Sequence, residues 1–381
     1  MRRYFIILAV IVAVVIGGYA LWKASSQQPL VEKPLGVDVL PVEVPSRTLP
    51  VVPLPNSELD APASSRLSVV SDRQILRYWF DSSDHALHIF TTTGELLRVS
   101  QGEEERIFAL GTPTSSVTPS PRGEAIIIET GYPTKPLFSV FNLTTRKTTF
   151  LPTGTTAAAW NPSGTEVVIM WEAPAASRAS VGLYRVPLKT FKPQLVLPIT
   201  LFDIVLDWPQ TNAVFVSTRF GGQTTGGLWR LDLQKKTMVA VLPEVSGFLT
   251  AWTVDGKYFF ETDAKQRDVG LVQPATLSRL STGLSSVPEK CAGAAAGQFV
   301  CAAPALNNAP LNPLVYLQRA QHSTDTIILL SLRAGELIPS LVYDGLSEQP
   351  SVDATQLRTI GNTLYFVNRY DQKLYSLPLE D

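Results

Sequence analysis

Two cysteines are the clearest pair of residues in this chain that could undergo chemistry together. Cys291 and Cys301 are ten positions apart and flank a turn at residues 294–297. On adjacent antiparallel strands this spacing can bring the two Cα atoms to about 5.5 Å, the separation that a disulfide needs. The sequence therefore predicts a disulfide. Two buried free thiols are the alternative, and a metal-binding or redox role is the least favoured interpretation.

Three histidines are the whole supply of imidazole for acid–base or metal chemistry. His85 and His88 are close to Asp81 and Asp84, a set that suggests a metal ion or proton transfer. Strand residues three apart point to opposite faces, so we expect one turn histidine and one strand histidine without a shared ion. His322 falls in a predicted loop, and no Gly-x-Ser-x-Gly motif exists to pair with it. We predict no catalytic residue, no metal site and no cofactor.

The charge balance excludes one large class of partner. The formal net charge is -1, so the chain lacks the clustered cations that hold nucleic acid. Charged residues make up 17%, below the roughly 25% of an ordinary soluble domain. This shortfall is typical of a chain with a membrane segment and many strands buried on both faces. Residues 103–105, three consecutive glutamates, suggest a calcium site, but we place them in a solvated hairpin of the first repeat.

The N-terminus predicts a membrane anchor. Residues 1–3 form a short basic stub, and residues 4–22 are an uncharged apolar run long enough to cross a ~30 Å hydrocarbon core as one helix. The positive-inside rule places the stub in the cytoplasm and the rest of the chain outside it. A cleaved signal peptide is the alternative, because residues 18–20 resemble a cleavage site. Residues 23–65 contain eight prolines, which favours an extended linker over a packed domain.

A repeated hairpin organises the remainder of the chain, from residue 66 to residue 381. Its clearest copy is Trp160-Asn161-Pro162-Ser163-Gly164, a tight turn that is followed by an uninterrupted apolar run at 167–170. Only strands covered on both sides are apolar without alternation. The seven copies recur about every 40 to 47 residues except before the last, and they begin near residues 78, 117, 159, 205, 250, 291 and 358.

A second repeat, in register with the first, predicts third strands. It places apolar residues at positions one, four and six, as in 183–188 and 374–379. The chain ends soon after the last third strand, so the final repeat lacks a fourth. We predict that residues 66–71 supply it and close the ring without leaving an exposed sheet edge. The fold class is therefore an all-β propeller, most simply of seven four-stranded blades, preceded by one transmembrane helix; six or eight blades remain alternatives.

These repeats resemble those of TolB-type, WD40-like propeller proteins, whose core reads aromatic, x, Pro, Asp or Ser, Gly before a β run. The resemblance covers roughly residues 66–381 and is clearest at Trp160 and Trp252. It implies a propeller fold, and it is consistent with the envelope members of that family, which tend to act as binding platforms. A shared fold of this kind implies structure far more than function.

Long connections follow the second strand in five of the repeats. Equivalent connections lie on one face of a propeller, so these insertions would build a single binding face. Drift in tolerant loops is the alternative explanation. Aromatic and arginine side chains are typical interface anchors. Those predicted here are Tyr132, Lys135, Trp171, Arg219, Phe220, Arg267, Tyr316 and Arg319.

We therefore interpret the chain as a membrane-anchored, extracytoplasmic binding or scaffold module for a protein or glycan partner at the cell envelope. The alternative is an extracytoplasmic propeller enzyme of the lyase or lactonase type, with its site in the central channel. Such an enzyme needs carboxylates, histidines or a metal ion on the innermost strands. Those strands carry mainly Ala, Thr, Val and Trp, with Asp207 as the clearest acid.

Overall fold

The computed structural model describes residues 66–172, 181–201, 203–219, 225–263, 268–305, 311–312, 315–316 and 318–379. The predicted stub, anchor and linker, residues 1–65, lie outside these ranges. Among the described residues no helix is long and apolar enough to cross a membrane. The structure therefore describes the repeat region alone.

The described strands form seven four-stranded antiparallel sheets. Each sheet is one blade of a seven-bladed propeller, as the hairpin repeats predict. Blades 1 to 3 contain β2 (Ile75–Asp81), β3 (Ala86–Thr91), β4 (Glu95–Ser100), β5 (Glu103–Ala109), β6 (Thr114–Pro119), β7 (Ala125–Thr130), β8 (Leu137–Asn142), β9 (Lys147–Phe150), β10 (Thr155–Trp160), β11 (Glu166–Trp171), β12 (Gly182–Pro187) and β13 (Gln194–Leu197).

Blades 4 to 7 continue the pattern, and the last blade takes its outer strand from the start of the repeat region. They contain β14 (Ile204–Gln210), β15 (Ala213–Thr218), β16 (Thr225–Asp232), β17 (Thr237–Ser246), β18 (Leu249–Trp252), β19 (Phe259–Thr262), β20 (Gly270–Gln273), β21 (Ser278–Ser281), β22 (Cys291–Gly293), β23 (Gln298–Pro304), β24 (Asp325–Arg333), β25 (Glu336–Tyr343), β26 (Ala354–Ile360), β27 (Thr363–Asn368), β28 (Leu374–Pro378) and β1 (Ser68–Ser71). A 3-10 turn at Pro288–Lys290 precedes β22.

The second strand of each blade is apolar because neighbouring blades cover both of its faces. In β7 every residue but the last is buried. A hydrophobic cluster fills each of the seven junctions between adjacent blades. The tryptophan that ends β10 crosses one of these junctions: the indole N–H of Trp160 in blade 3 donates to the Thr118 carbonyl of blade 2 at 2.9 Å.

The turn glycine of the repeat has a packing role as well as a conformational one. Gly123 has φ +85°, and a Cβ added there would lie 2.7 Å from the Cα of Asp81 in the preceding blade. Its carbonyl accepts the indole N–H of Trp79 at 3.1 Å. Glycine is required at this position because the backbones of two blades meet there.

The ring closes between the first and last repeats. Strand β1 pairs antiparallel with β28, with Val69 opposite Tyr375, which is the position that the sequence predicts for residues 66–71. At the junction between blade 7 and blade 1, the Tyr78 hydroxyl contacts the Gln356 and Tyr365 carbonyl oxygens at 2.6 and 2.7 Å. Residues 103–105 begin β5, the outer strand of blade 1, and are exposed in the hairpin with β4, as the sequence predicts.

One face of the disc carries both the starts of the innermost strands and the ends of the second strands. Antiparallel pairing requires this, since Ile75 lies opposite Thr91 and Ala354 lies opposite Asn368. The connections that follow β3, β7, β11, β15, β19, β23 and β27 therefore share this side. We call it the long-loop face.

Candidate functional site

A cavity of about 480 Å³ occupies the mouth of the central channel on the long-loop face. Blades 1, 5, 6 and 7 contribute its walls, and a smaller cavity of about 120 Å³ continues from it toward Arg358. The larger cavity is polar, with charged groups contributed by inner strands and loops. The charged or titratable residues of its lining are Arg77, Glu289, Tyr316, Arg319, His322 and Arg369.

Two β-bulges aim side chains into the channel. The pairing register shifts between Ile75 and Arg77 in β2, and again between Thr355 and Arg358 in β26. Such bulges re-aim side chains at the rims of sheets. Gln356 sits in the second bulge with φ +54°, and its side-chain amide donates to the Leu76 carbonyl at 3.0 Å.

Arg77 and Glu289 project into the mouth of the channel. Solvent reaches both side chains there, although protein surrounds them on most sides. This desolvation lowers the pKa of Arg77, an effect that Tyr78 and Glu289 oppose. An arginine in a protein nevertheless keeps its charge. Burial also raises the pKa of Glu289, while Arg77, Arg369 and Arg319 oppose that shift.

A buried ionic network supports the floor of the cavity. The Lys290 ammonium, fully buried, donates to the Ser323 hydroxyl at 2.8 Å and to the carboxylates of Asp325 and Asp353 at 2.5 and 2.7 Å. Burial alone would lower the pKa of Lys290, but Asp325 and the other neighbours outweigh it and the pKa is raised. The charges of the network are compensated, because each buried charge has an opposite charge beside it.

Arg369 and Tyr316 transmit this support to the cavity wall. The Arg369 guanidinium donates to Asp353 at 3.2 Å and to the Tyr316 carbonyl at 3.0 Å. It also lies 3.8 Å from the centre of the Tyr316 ring, while the Lys290 ammonium lies 5.0 Å from it. His322 contacts Asp353 through Nδ1 at 3.0 Å. Tyr316 is only 2% exposed, so its ring supports the arginine instead of serving as the expected exposed anchor.

Burial changes the chemistry of the Tyr316 phenol. It raises the pKa of Tyr316 to about 12, an effect that Lys290 opposes. The hydroxyl is buried and has no hydrogen-bond partner among the described residues. The same holds for the indole N–H of Trp252, which also lines the cavity.

Arg319 is the predicted anchor that the structure places in the open wall of this cavity. Its side chain is exposed, and its backbone has φ +58°. Arg319 forms no ion pair among the described residues, in contrast to Arg369. It therefore presents a free guanidinium beside the channel mouth.

Two other predicted anchors form a second cluster on the long-loop face. The Arg219 guanidinium lies 4.3 Å from the centre of the Tyr132 ring and 3.4 Å from a carboxylate oxygen of Glu129. The Tyr132 hydroxyl donates to Asp203 at 3.3 Å. Tyr132 is 39% exposed. Blades 2 and 4 thus meet in an aromatic and arginine patch of the kind that protein partners use.

The remaining predicted anchors fall outside both clusters. Lys135 is exposed in the loop after β7. Trp171 ends β11, where its indole N–H donates to the Thr153 carbonyl at 2.9 Å and its ring packs edge-on against Tyr184. Phe220 and Arg267 lie outside the described residues.

Cys291 and Cys301 form a disulfide, with Cα atoms 4.1 Å apart. They occupy directly paired positions on the two inner strands of blade 6. Cys291 also lines the cavity. The bond therefore clamps the short strand β22 beside the channel mouth.

One acidic side chain on the inner strands, Asp207, has a raised pKa. Burial raises the pKa of Asp207 to about 6, and the indole of Trp252 opposes the shift. No hydrogen bond of normal geometry joins the two groups, since the Trp252 N–H has no such partner. An acid with this pKa can exchange protons near neutral pH.

The histidines of blade 1 lie on the opposite face. His85 occupies the turn and His88 lies in β3, as expected. Asp81, Asp84 and His88 nevertheless approach one another, with ligand atoms within 4.8 Å. The Arg98 guanidinium contacts Asp84 at 2.9 Å and already neutralises it. A metal ion would have to compete with this arginine.

The sequence interpretation missed most of the charged cavity wall. Arg77 and Arg358 are the single basic residues of their inner strands, and that contrast was a usable signal. Glu289 and Lys290 offered no such signal, because a Glu-Lys pair before a short strand is typical of a solvated turn. Tertiary contacts alone identify them.

No protein-family model and no curated protein sequence matches this chain. Solved structures do match it. An oligogalacturonate lyase in complex with manganese is 13% identical, with 84% of this chain and 95% of that one covered at a TM-score of 0.55. The oligogalacturonate lyase of Vibrio parahaemolyticus is 11% identical, with 83% and 94% covered at 0.55. TolB from Acinetobacter baumannii is 12% identical, with 80% of this chain and 63% of that chain covered at 0.40.

These identities show a shared fold and nothing about activity. The chain spans less than two thirds of the TolB chain, and a TM-score of 0.40 carries no further argument. The fold assignment is therefore a seven-bladed propeller with TolB and other propeller proteins among its structural neighbours.

Proposed function

We propose that this chain is a binding module that works outside the cytoplasm, anchored through residues 4–22, and that its long-loop face holds a protein or glycan partner at the cell envelope. The observation that carries the proposal is the charged cavity at the channel mouth beside the Tyr132–Arg219 patch. Both features lie on one face. Arginine and tyrosine are among the residues that contribute most to binding free energy at protein interfaces.

The build of the site favours binding over catalysis. Three of its charged groups, Arg77, Arg319 and Arg369, are arginines that cannot transfer protons near neutral pH, and Glu289 is its single carboxylate. Its histidine, His322, is held by Asp353 and stacked on Tyr370. Arg369 is held in position before a ligand arrives, which lowers the entropic cost of binding. The arginines supply recognition without acting as a general acid or base.

An extracytoplasmic enzyme with its site in the channel is the second candidate. Asp207 favours it, since its pKa of about 6 suits a general acid or base. Two of the similar solved structures are oligogalacturonate lyases, although at 13% and 11% identity. Production of unsaturated uronides from oligogalacturonate by the purified chain, and its loss in Asp207→Asn, would favour this candidate.

Site-specific photo-crosslinking in intact cells tests the binding function. Probes at Tyr132, Lys135 and Arg319 sample the long-loop face; matched exposed positions on the opposite face are Arg122 and Lys257. We expect one protein or glycan adduct from the first set and none from the second. Equal capture from both faces, or from neither, would contradict the proposal.

A further inference from the structure

We propose that the cavity at the channel mouth binds a carboxylate group of a ligand through Arg77 and Arg319. The inference rests on the proposed binding function and specifies what one part of the long-loop face recognises. The carboxylate belongs either to a small free acid or to an acidic residue of a bound partner. The residues of the cavity wall would recognise the carboxylate in the same way in both cases.

Hydrogen-bond donors dominate the wall of this cavity. The guanidiniums of Arg77 and Arg319 form no ion pair with a carboxylate among the described residues. The Arg77 guanidinium has one long contact, 3.5 Å, to the Gln356 side-chain oxygen. A negatively charged ligand rich in acceptors complements such a wall.

The charges of the wall do not cancel. Asp353 neutralises Arg369 within the buried network. Arg77 and Arg319 then remain against the single carboxylate of Glu289, and Arg358 adds a further cation in the adjoining small cavity. Desolvation lowers the pKa of Arg358, as it does for Arg77. An anion in the cavity would compensate the positive charge of these arginines.

The wall favours a carboxylate over a phosphate. A guanidinium fork binds either group with two parallel hydrogen bonds. Phosphate, however, concentrates roughly -1.5 to -2 of charge in one group at neutral pH, so removing it from water costs more than removing a single carboxylate. The volume of about 480 Å³ also suits a small acid or one or two acidic side chains.

Calorimetric titration of the purified full-length chain in detergent tests this inference. The probes are glutarate, its uncharged analogue glutaramide, and inorganic phosphate, all at one ionic strength. We expect glutarate to bind, glutaramide to fail, and phosphate to bind more weakly than glutarate. Arg77→Gln and Arg319→Gln should each weaken glutarate binding about tenfold, the usual effect of losing one charge-assisted contact.

Arg122→Gln is the matched control, because Arg122 is an exposed arginine on the opposite face. It should leave glutarate binding unchanged, and melting curves should show that all three variants are folded. The proposal is overturned if glutarate does not bind, if phosphate binds as tightly, or if Arg122→Gln weakens binding as much as the cavity variants do. Arg77 is in a strand and Arg319 is in an exposed loop, so the test does not depend on the folding of one variant alone.

Peptides distinguish the two sources of the carboxylate. Competition with glutarate by Ac-Ala-Ala-Glu-NH₂, but not by Ac-Ala-Ala-Gln-NH₂, indicates an acidic residue of a partner; no competition by either indicates a free acid. Failure of this inference is separable from failure of the binding function. If only this inference fails, the crosslink at Tyr132 persists and glutarate does not bind. If only the binding function fails, the crosslink is lost and glutarate still binds.

Discussion

Two kinds of buried charge coexist in this propeller, and they differ in what surrounds them. Lys290 is fully buried but touches two carboxylates, so its charge is compensated. Asp207 lies on an inner strand without an ion pair among the described residues, and its pKa is about 6. A compensated charge gives rigidity, whereas an uncompensated one costs stability once it ionises.

Asp207→Asn should therefore stabilise the protein at pH 7. The carboxyl has a pKa of about 6 in the fold against an ordinary value of 3.8, so folding favours its protonated form. The contribution of this group is fully present below about pH 4 and is lost as the pH rises through 6. We expect a gain of about 1 to 3 kcal/mol at pH 7 that vanishes near pH 4, measured by denaturant unfolding.

Asp232→Asn is the control for this experiment. Backbone N–H groups at Lys235 and Gln234 lower the pKa of Asp232, with burial opposing them, so its charge is favourable in the fold. Its replacement should not stabilise the protein at pH 7. If Asp207→Asn gives no gain, or an equal gain at both pH values, the burial of that carboxyl is not what raises its pKa.

At the scale of single elements, the hairpin of β22 and β23 is the most constrained near the cavity. Strand β22 has three residues, too few for strong pairing, and the disulfide joins its first residue to β23. Lys290 immediately precedes it and is held by the buried network. A strand as short as β22 needs additional restraint, because few hydrogen bonds hold it in the sheet.

Thiol counting tests this restraint. We expect no reactive thiol in the unfolded protein without reductant and two with it. The double substitution Cys291→Ala and Cys301→Ala should lower the free energy of unfolding by roughly 2 to 3 kcal/mol, as expected for a bond that closes a short loop. The single variant Cys301→Ala, with one reactive thiol, calibrates the assay. Two thiols without reductant would show that the bond is absent.

At the scale of the whole molecule, the ring depends on one segment that is distant in sequence from its blade. Strand β1 covers the edge of β28, while Leu67 packs into the junction of blades 6 and 7 and Val70 into the junction of blades 7 and 1. The same segment thus closes a sheet edge and two hydrophobic clusters. Closing the ring also positions Arg77 beside Gln356, which are separated by 279 residues.

Deleting residues 66–71 should destabilise the whole propeller. Loss of the buried Leu67, the half-buried Val70 and the strand pairing should cost roughly 3 to 5 kcal/mol, which lowers the melting temperature by roughly 5 to 8 °C. Deletion of residues 60–65 is the length-matched control, and we expect it to melt like the unaltered protein. Equal melting of both deletions would refute closure by β1.

The repeat pattern was sufficient to predict the architecture. Each hairpin, such as the one at Trp160 and Val167, is a local unit in which a tight turn and an apolar run specify two paired strands. The missing fourth strand of the last repeat likewise followed from where the copies begin and end. These features depend on residues close together in the chain, so their periodicity is readable without a structure.

The charged cavity could not be predicted in this way. Arg77 belongs to blade 1, whereas Glu289 and Arg319 belong to segments of blade 6, and only closure of the ring brings them to one channel mouth. Two β-bulges, invisible in the residue pattern, determine which inner-strand side chains enter the channel. The sequence by itself determined the blades, because hairpins form from neighbouring residues; the tertiary structure alone decided the site, because its residues meet only through contacts between blades.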